Sequence, residues 1–147
     1  MKAAALTLQE AQNCMDLLLL ADPDTEMIAR YLKQCSIWGV QNQGNMIAIA
    51  CFMDKGSGCV ELKNLAVSPS FQGRGLASQL LKDAVCRFRQ SGYQTILVGT
   101  SEEMLSFYGR FGFQYSHTVK NFFLQYAQPV YENGRLLTDM IYLKLEL

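Results

Sequence analysis

This sequence has no net charge: 13 Lys and Arg stand against 13 Asp and Glu over 147 residues. No excess of either sign is left to hold a nucleic-acid backbone or an anionic membrane, so neither partner is expected. Long apolar runs are missing too. No stretch approaches the roughly 20 residues needed to cross a bilayer, and the leading MKAAALTL meets Gln9 and Glu10 too early for a signal peptide. Histidine occurs once, at position 117, tryptophan once, at 38, and there is no C-x-x-C pair. The five cysteines (14, 35, 51, 59 and 86) are an odd number lying in apolar runs. That pattern reads as reduced core thiols in a cytoplasmic protein, with no disulfide frame and no metal site. Repeats, low-complexity segments and linkers are also absent. What remains is a single domain over residues 1–147, half apolar and 18% charged, long enough to bury a core.

The chain is organised around Cys59–Gln90. A strand-like run, Val60–Val67, breaks at Ser68-Pro69-Ser70, where proline removes a ladder donor. Gln72-Gly73-Arg74-Gly75-Leu76-Ala77 comes next, and then a helix with Leu76, Ala77, Leu80, Leu81, Ala84, Val85 and Phe88 on one face. A glycine-bearing turn at a helix start presents unpaired backbone N–H groups and the positive dipole end, a seat for an anion and above all a phosphate. It is not a Walker loop, which ends in Gly-Lys-Ser/Thr. Nor is it the dinucleotide fingerprint, because Ser78 holds the third glycine's place.

Gln72, Gly75 and Ala77 match the pattern Gln/Arg-x-x-Gly-x-Gly/Ala, and the stretch resembles the signature of the GNAT superfamily of acyl-CoA-dependent N-acetyltransferases. Phe107-Tyr108-Gly109-Arg110-Phe111-Gly112-Phe113 resembles the second signature of that family, a tyrosine followed four and five residues later by Gly-Phe. The resemblance implies an α/β (α+β) fold: a mixed central sheet of six or seven strands flanked by about four helices. It implies acetyl-CoA as co-substrate and a small-molecule amine or peptide amine as acceptor, and it leaves room for a homodimer. It further implies that Gln72, Gly73, Arg74, Gly75, Leu76, Ala77 and Ser78 hold the diphosphate, that backbone groups of Leu65, Ala66 and Val67 bind the pantetheine, and that Tyr108 is the acid. Many relatives carry an asparagine near the start of the second signature's helix; here Ser101-Glu102-Glu103 stand instead.

Two residues compete for the base. Glu61 stands eleven residues before Gln72, the offset of the glutamate base in the histone-acetylating branch. Lys63 on the same nominal strand face would make a plain surface pair with it, unless a bulge separates the two. His117 is the other candidate, since an ordinary imidazole near pH 6.5 suits proton transfer. The alternative from a different class is a GNAT-fold module that binds acyl-CoA without turnover.

Elsewhere, Ala3–Leu8 reads as a first strand. Thr7 and Glu10 have capping-box spacing before a helical stripe from Ala11 to Leu19. Asp22-Pro23 reads as the cap of a second helix. Ser36–Gln41, Met46–Asp54 and Val60–Val67 read as an antiparallel meander, with Trp38 in the core or on a cleft wall. Thr95–Gly99 reads as a strand parallel to the central one. Ser101 reads as the cap of a helix with Met104, Tyr108 and Phe111 on one face. Phe113–Val119 and Leu136–Leu145 complete the strands. The aromatics Phe122, Phe123, Tyr126 and Tyr131 read equally well as ordinary core or as the lining of an acceptor pocket. Glu61, Glu132 and Asp139 are carboxylates that could attract a cationic amine.

Overall fold

The computed structural model describes Met1–Leu147. The first strand, β1 (Ala3–Leu6), stops earlier than expected because Thr7 already caps a helix. The Thr7 hydroxyl accepts from the Glu10 N–H at 3.1 Å, and the Glu10 carboxylate accepts from the Thr7 N–H at 2.9 Å. The stripe predicted as one helix is two, α1 (Leu8–Gln12) and α2 (Met15–Ala21), parted at Asn13–Cys14. Asp22 does not cap the next helix. Asp24 does, accepting from Glu26 N–H at 2.9 Å and Met27 N–H at 3.1 Å, and so opens α3 (Thr25–Tyr31). Only the second carboxylate of Asp-Pro-Asp reaches those amides, and Asp22 turns inward.

The meander forms as expected: β2 (Cys35–Asn42), β3 (Asn45–Gly56) and β4 (Cys59–Val67) are antiparallel neighbours. Its first turn needs only Gln43 and Gly44, both at positive φ as a two-residue hairpin demands. In β4 a bulge falls at Lys63, since Cys51 pairs with Asn64 while the next residue, Phe52, pairs with Leu62. Helix α4 (Leu76–Gln90) then buries Leu76, Leu80, Leu81, Ala84 and Phe88. It leads to β5 (Thr95–Thr100), which lies parallel to β4.

A tight turn at Glu102–Met104 precedes α5 (Leu105–Gly109). The expected cap Ser101 makes no cap bond, because its hydroxyl is donated to Glu132 Oε2 at 2.6 Å. Met104 is exposed, so the buried face of Tyr108 is shared with Phe107 and Phe113. Strand β6 (Gln114–Val119) comes next. The hairpin β7 (Tyr131–Glu132) and β8 (Arg135–Leu136) turns on Asn133-Gly134, and β9 (Met140–Glu146) closes the chain. The expected strand Leu136–Leu145 is therefore interrupted. Leu137 N–H bonds back to the Val130 carbonyl at 2.8 Å, and Asp139 is drawn off to the Asn121 N–H at 2.9 Å.

Seven strands run in the order β1-β2-β3-β4-β5-β9-β6, within the expected six or seven, with five α-helices where about four were expected. Helices α4 and α5 cover one face over a core that includes Phe52, Leu80, Leu81 and Ile96. Helices α1 to α3 cover the other, over Leu18, Ile28, Ile49 and Cys51. Trp38 is half-buried, its ring 3.5 Å from the Arg87 guanidinium carbon. Of the cysteines, all free, only Cys51 is fully buried and Cys86 is exposed, because Cys86 lies off the apolar stripe of α4.

Leu81 is wholly buried under the sheet. Leu81→Ala should cost about 2–5 kcal/mol through lost contacts and a residual cavity. Urea unfolding should show the midpoint lowered at an unchanged slope.

Candidate active site

Between β4 and α4 the backbone forms a cradle. Gly73 and Gly75 have φ of 78° and 79°, a left-handed conformation that side chains resist. A Cβ at either would meet nothing within 4 Å, so the loop faces open space and is not packed against protein. The first bond inside α4 runs from Gln79 N–H to the Gly75 carbonyl at 2.9 Å. The amides of Leu76, Ala77 and Ser78 thus have no acceptor in the helix and point at that space with its positive dipole end. Gln72 donates its side-chain amide to the Val67 carbonyl at 3.0 Å, tying the loop to the end of β4. The Arg74 guanidinium carbon sits 4.8 Å from the Phe71 ring centroid. A cavity of about 230 Å³ opens here, lined by Val67, Phe71 to Gly73, Gly75 to Ser78, and Phe107 of α5.

Beside the cradle the sheet opens. β4 and β5 pair only from Cys59–Thr95 to Leu62–Val98. Beyond that, β4 stays on β3 up to Val67–Ala48, and β5 stays on β9 up to Thr100–Ile141. The Ser68 N–H bonds to the Ile47 carbonyl on the β3 side at 2.7 Å. By alternation the backbone groups of Leu65 and Val67 turn toward the gap and those of Ala66 toward β3. Tyr108 lies on the α5 side, packed edge-on against Phe107 and Phe113. Burial alone pushes its hydroxyl far above the ordinary phenol value, and no protein group bonds to it.

A chain of polar side chains crosses the opposite face, below α2 and α3. Glu61 is 4% exposed. Its Oε2 accepts from Lys63 Nζ at 3.1 Å, and its Oε1 lies 3.7 Å from Lys55 Nζ. The bulge does not separate Glu61 from Lys63. It brings Asn64 onto the same face as well. The Tyr142 hydroxyl reaches Glu61 Oε2 at 3.5 Å, and the Tyr142 ring stacks on His117 at 4.7 Å and 5°. His117 is exposed, with Nδ1 2.9 Å from the Ser116 hydroxyl. The two candidate bases therefore meet the same tyrosine, one at each end.

On the other side of Glu61, Lys63 Nζ sits 5.2 Å from the Tyr31 ring centroid. Tyr31 donates to Asp22 Oδ2 at 2.9 Å, and Tyr126 donates to Asp22 Oδ1 at 2.7 Å. Asn64 donates to the Leu18 carbonyl at 3.0 Å and to the Tyr31 hydroxyl at 3.2 Å. The aromatic group thus divides: Phe123 is buried, Tyr126 serves Asp22, and Tyr131 is exposed. Glu132 and Asp139 hold Ser101 and the Asn121 amide. Sequence reasoning missed Asp22, Tyr31, Asn64 and Tyr142. Gly99 could have pointed to Tyr142, since a glycine inside a strand marks a close approach; a Cβ there would come within 3.0 Å of Tyr142 Cζ.

A larger hollow of about 410 Å³ lies around Gln12–Leu17, Met46 and Ser68–Pro69. No three His, Cys, Asp or Glu side chains gather where they could hold a metal ion. No helix is long and apolar enough to cross a membrane.

The sequence profile described as "Acetyltransferase (GNAT) domain" matches residues 33–115, the span that includes the cradle, the β4 side of the gap and Tyr108. An uncharacterized N-acetyltransferase of Bacillus subtilis, YvbK, is 33% identical over 136 residues, covering 90% of this chain and 88% of that protein. A GNAT family acetyltransferase from Elizabethkingia anophelis, solved with acetyl-CoA bound, is 34% identical at a TM-score of 0.90, over 99% of this chain and 97% of that one. A Bacillus subtilis acetyltransferase solved in complex with CoA is 31% identical at a TM-score of 0.85, over 99% and 98%. The chain belongs to the GNAT acetyltransferase family.

Burial pushes the Asp22 carboxyl above its usual range, against the pull of the Tyr126 and Tyr31 hydroxyls and of Lys63. A folded-state value above the unfolded one means a contribution fully present below about pH 4 and lost as pH rises through the folded value. Relative to Asp22→Asn, the natural protein should therefore lose stability as pH climbs through that window. Paired urea titrations from acid to neutral pH measure it; a pH-independent difference would mean that Asp22 titrates normally.

Proposed function

We propose that this protein is an N-acetyltransferase that moves the acetyl group of acetyl-CoA onto a primary amine by direct attack. The observation that carries the reading is the cradle: two left-handed glycines leading into α4, with free amides facing a cavity at the end of a strand that has left its neighbour. Those N–H groups fit a diphosphate, and the gap-facing groups of Leu65 and Val67 fit the amide-bearing arm behind it. The two relatives solved with acetyl-CoA and CoA support the same reading.

In the reaction a C–N bond forms as the C–S bond breaks. Backbone N–H groups beside the gap stabilise the charge that builds on the carbonyl oxygen. Glu61 takes the proton that leaves the nitrogen. Tyr108, kept protonated by its dry surroundings, donates to the departing sulfur and is resupplied from water. Glu61 is favoured over His117 by position. Glu61 stands on the strand that borders the gap, whereas β6 lies three places along the sheet, roughly 14 Å away at the usual strand spacing.

Acetyl-CoA offered with a panel of primary amines should release free thiol above background for some of them. Protein that binds CoA yet releases none with any amine would be an acyl-CoA-binding module. Tyr108→Phe keeps the ring between Phe107 and Phe113, so CoA affinity and Tm should hold while kcat falls about 10²-fold. A kcat within about threefold of the natural protein leaves the sulfur to be protonated by solvent. Glu61→Gln should likewise lose about 10²-fold, with His117→Ala close to normal; the reverse pattern would move the base to the histidine.

A further inference from the structure

We infer that Lys63 is the positioning residue of this site: braced on Tyr31, it clamps one oxygen of Glu61 and leaves the other to take the acceptor's proton. The inference rests on Glu61 acting as the base. An alternating strand carrying Glu61 and Lys63 at its surface would give a loose pair of small worth. Here the pair is built in. Lys63 is the bulge residue of β4, at the point where β4 leaves β5, and its side chain is only 19% exposed. Its ammonium meets two groups: Glu61 Oε2 at 3.1 Å and the face of Tyr31 at 5.2 Å. Tyr31 is itself buried and anchored, its hydroxyl bonded to Asp22 at 2.9 Å and Asn64 at 3.2 Å.

The two oxygens of Glu61 are thereby made unequal. Oε2 is filled by Lys63 and by Tyr142, whose ring is fixed between Gly99 and the His117 stack. Oε1 has only Lys55, 3.7 Å away on a side chain 43% exposed and free to swing aside. The charged and titratable groups around the carboxylate are Lys55 of β3, Lys63 and Cys59 of β4, Cys35 of β2 and Tyr142 of β9, with His117 of β6 behind it. Lys63 is the cation among them that burial holds in place. In the reaction Oε1 accepts the proton from the attacking nitrogen while Lys63 holds Oε2 and keeps the carboxylate pointing.

The test uses Lys63→Met, which keeps the aliphatic stem over Tyr31 and removes the charge. Loss of a cation at this distance disfavours the ionised carboxylate, so the acidic limb of the kcat/KM profile should move up by about one pH unit. Affinity for CoA should be unchanged, and Lys63→Arg should bring the limb back. A fall in Tm is expected of any broken buried pair and does not discriminate; the limb and its rescue by arginine do. If Lys63→Met fails to fold, Lys63→Gln gives the same reading. An acidic limb that superimposes on that of the natural protein, with Glu61→Gln inactive, overturns the positioning role and leaves the base in place. Glu61→Gln at the natural rate removes the base and the inference with it.

Discussion

The structure depends on one short seam. β4 and β5 are joined by four parallel pairs, Cys59–Thr95 to Leu62–Val98, and by nothing further along. Each strand is held on its other side along its length, β4 by β3 and β5 by β9. The sheet is therefore two antiparallel halves meeting at a narrow hinge of parallel bonds. Backbone groups left without a strand partner cost free energy in a dry interior. Here they border a gap with a cavity at its end, where a ligand can satisfy them.

The seam also separates the chemistry into two faces. On the side of α4 and α5 stand the cradle amides and the Tyr108 ring, in a largely apolar wall. On the side of α2 and α3 runs the polar chain from Tyr126 through Asp22, Tyr31, Lys63, Glu61 and Tyr142 to His117. A hydrogen bond made in such surroundings is stronger than in water, and one left unmade costs more. Most members of that chain consequently have two partners. Beside it, Asn64 donates twice through its side-chain nitrogen, but its side-chain oxygen is buried without a donor.

The segment between β6 and β9 links the two sides. Tyr126 and the Ala127 amide bond to Asp22 and Asp24 at the α2–α3 corner. Glu132 bonds to Ser101 at the end of β5. These bonds take up residues that looked in the sequence like free caps or free carboxylates. Asp22, Ser101, Glu132 and Asp139 were each open to a local role, and each was claimed by a partner from another part of the chain.

Local patterns were enough for much of this protein. The Thr7–Glu10 box, the stripe of α4, the meander of β2 to β4, the parallel step to β5 and the cradle at Gly73–Gly75 arise from spacing, turn residues and periodicity. Their causes lie within a few residues of one another. Tyr108 lies in the second signature and is buried, but Met104, expected on the same helix face, is exposed. Tertiary structure decided the rest. The bulge that holds Lys63 beside Glu61 depends on the register of β3, and the gap depends on β9 inserting between β5 and β6 from the far end of the chain. The Asp22–Tyr126 bond joins residues 104 positions apart, and Tyr142 reaches Glu61 across 81. Such contacts are chosen by the packing of whole elements against each other, a constraint no short window of sequence contains.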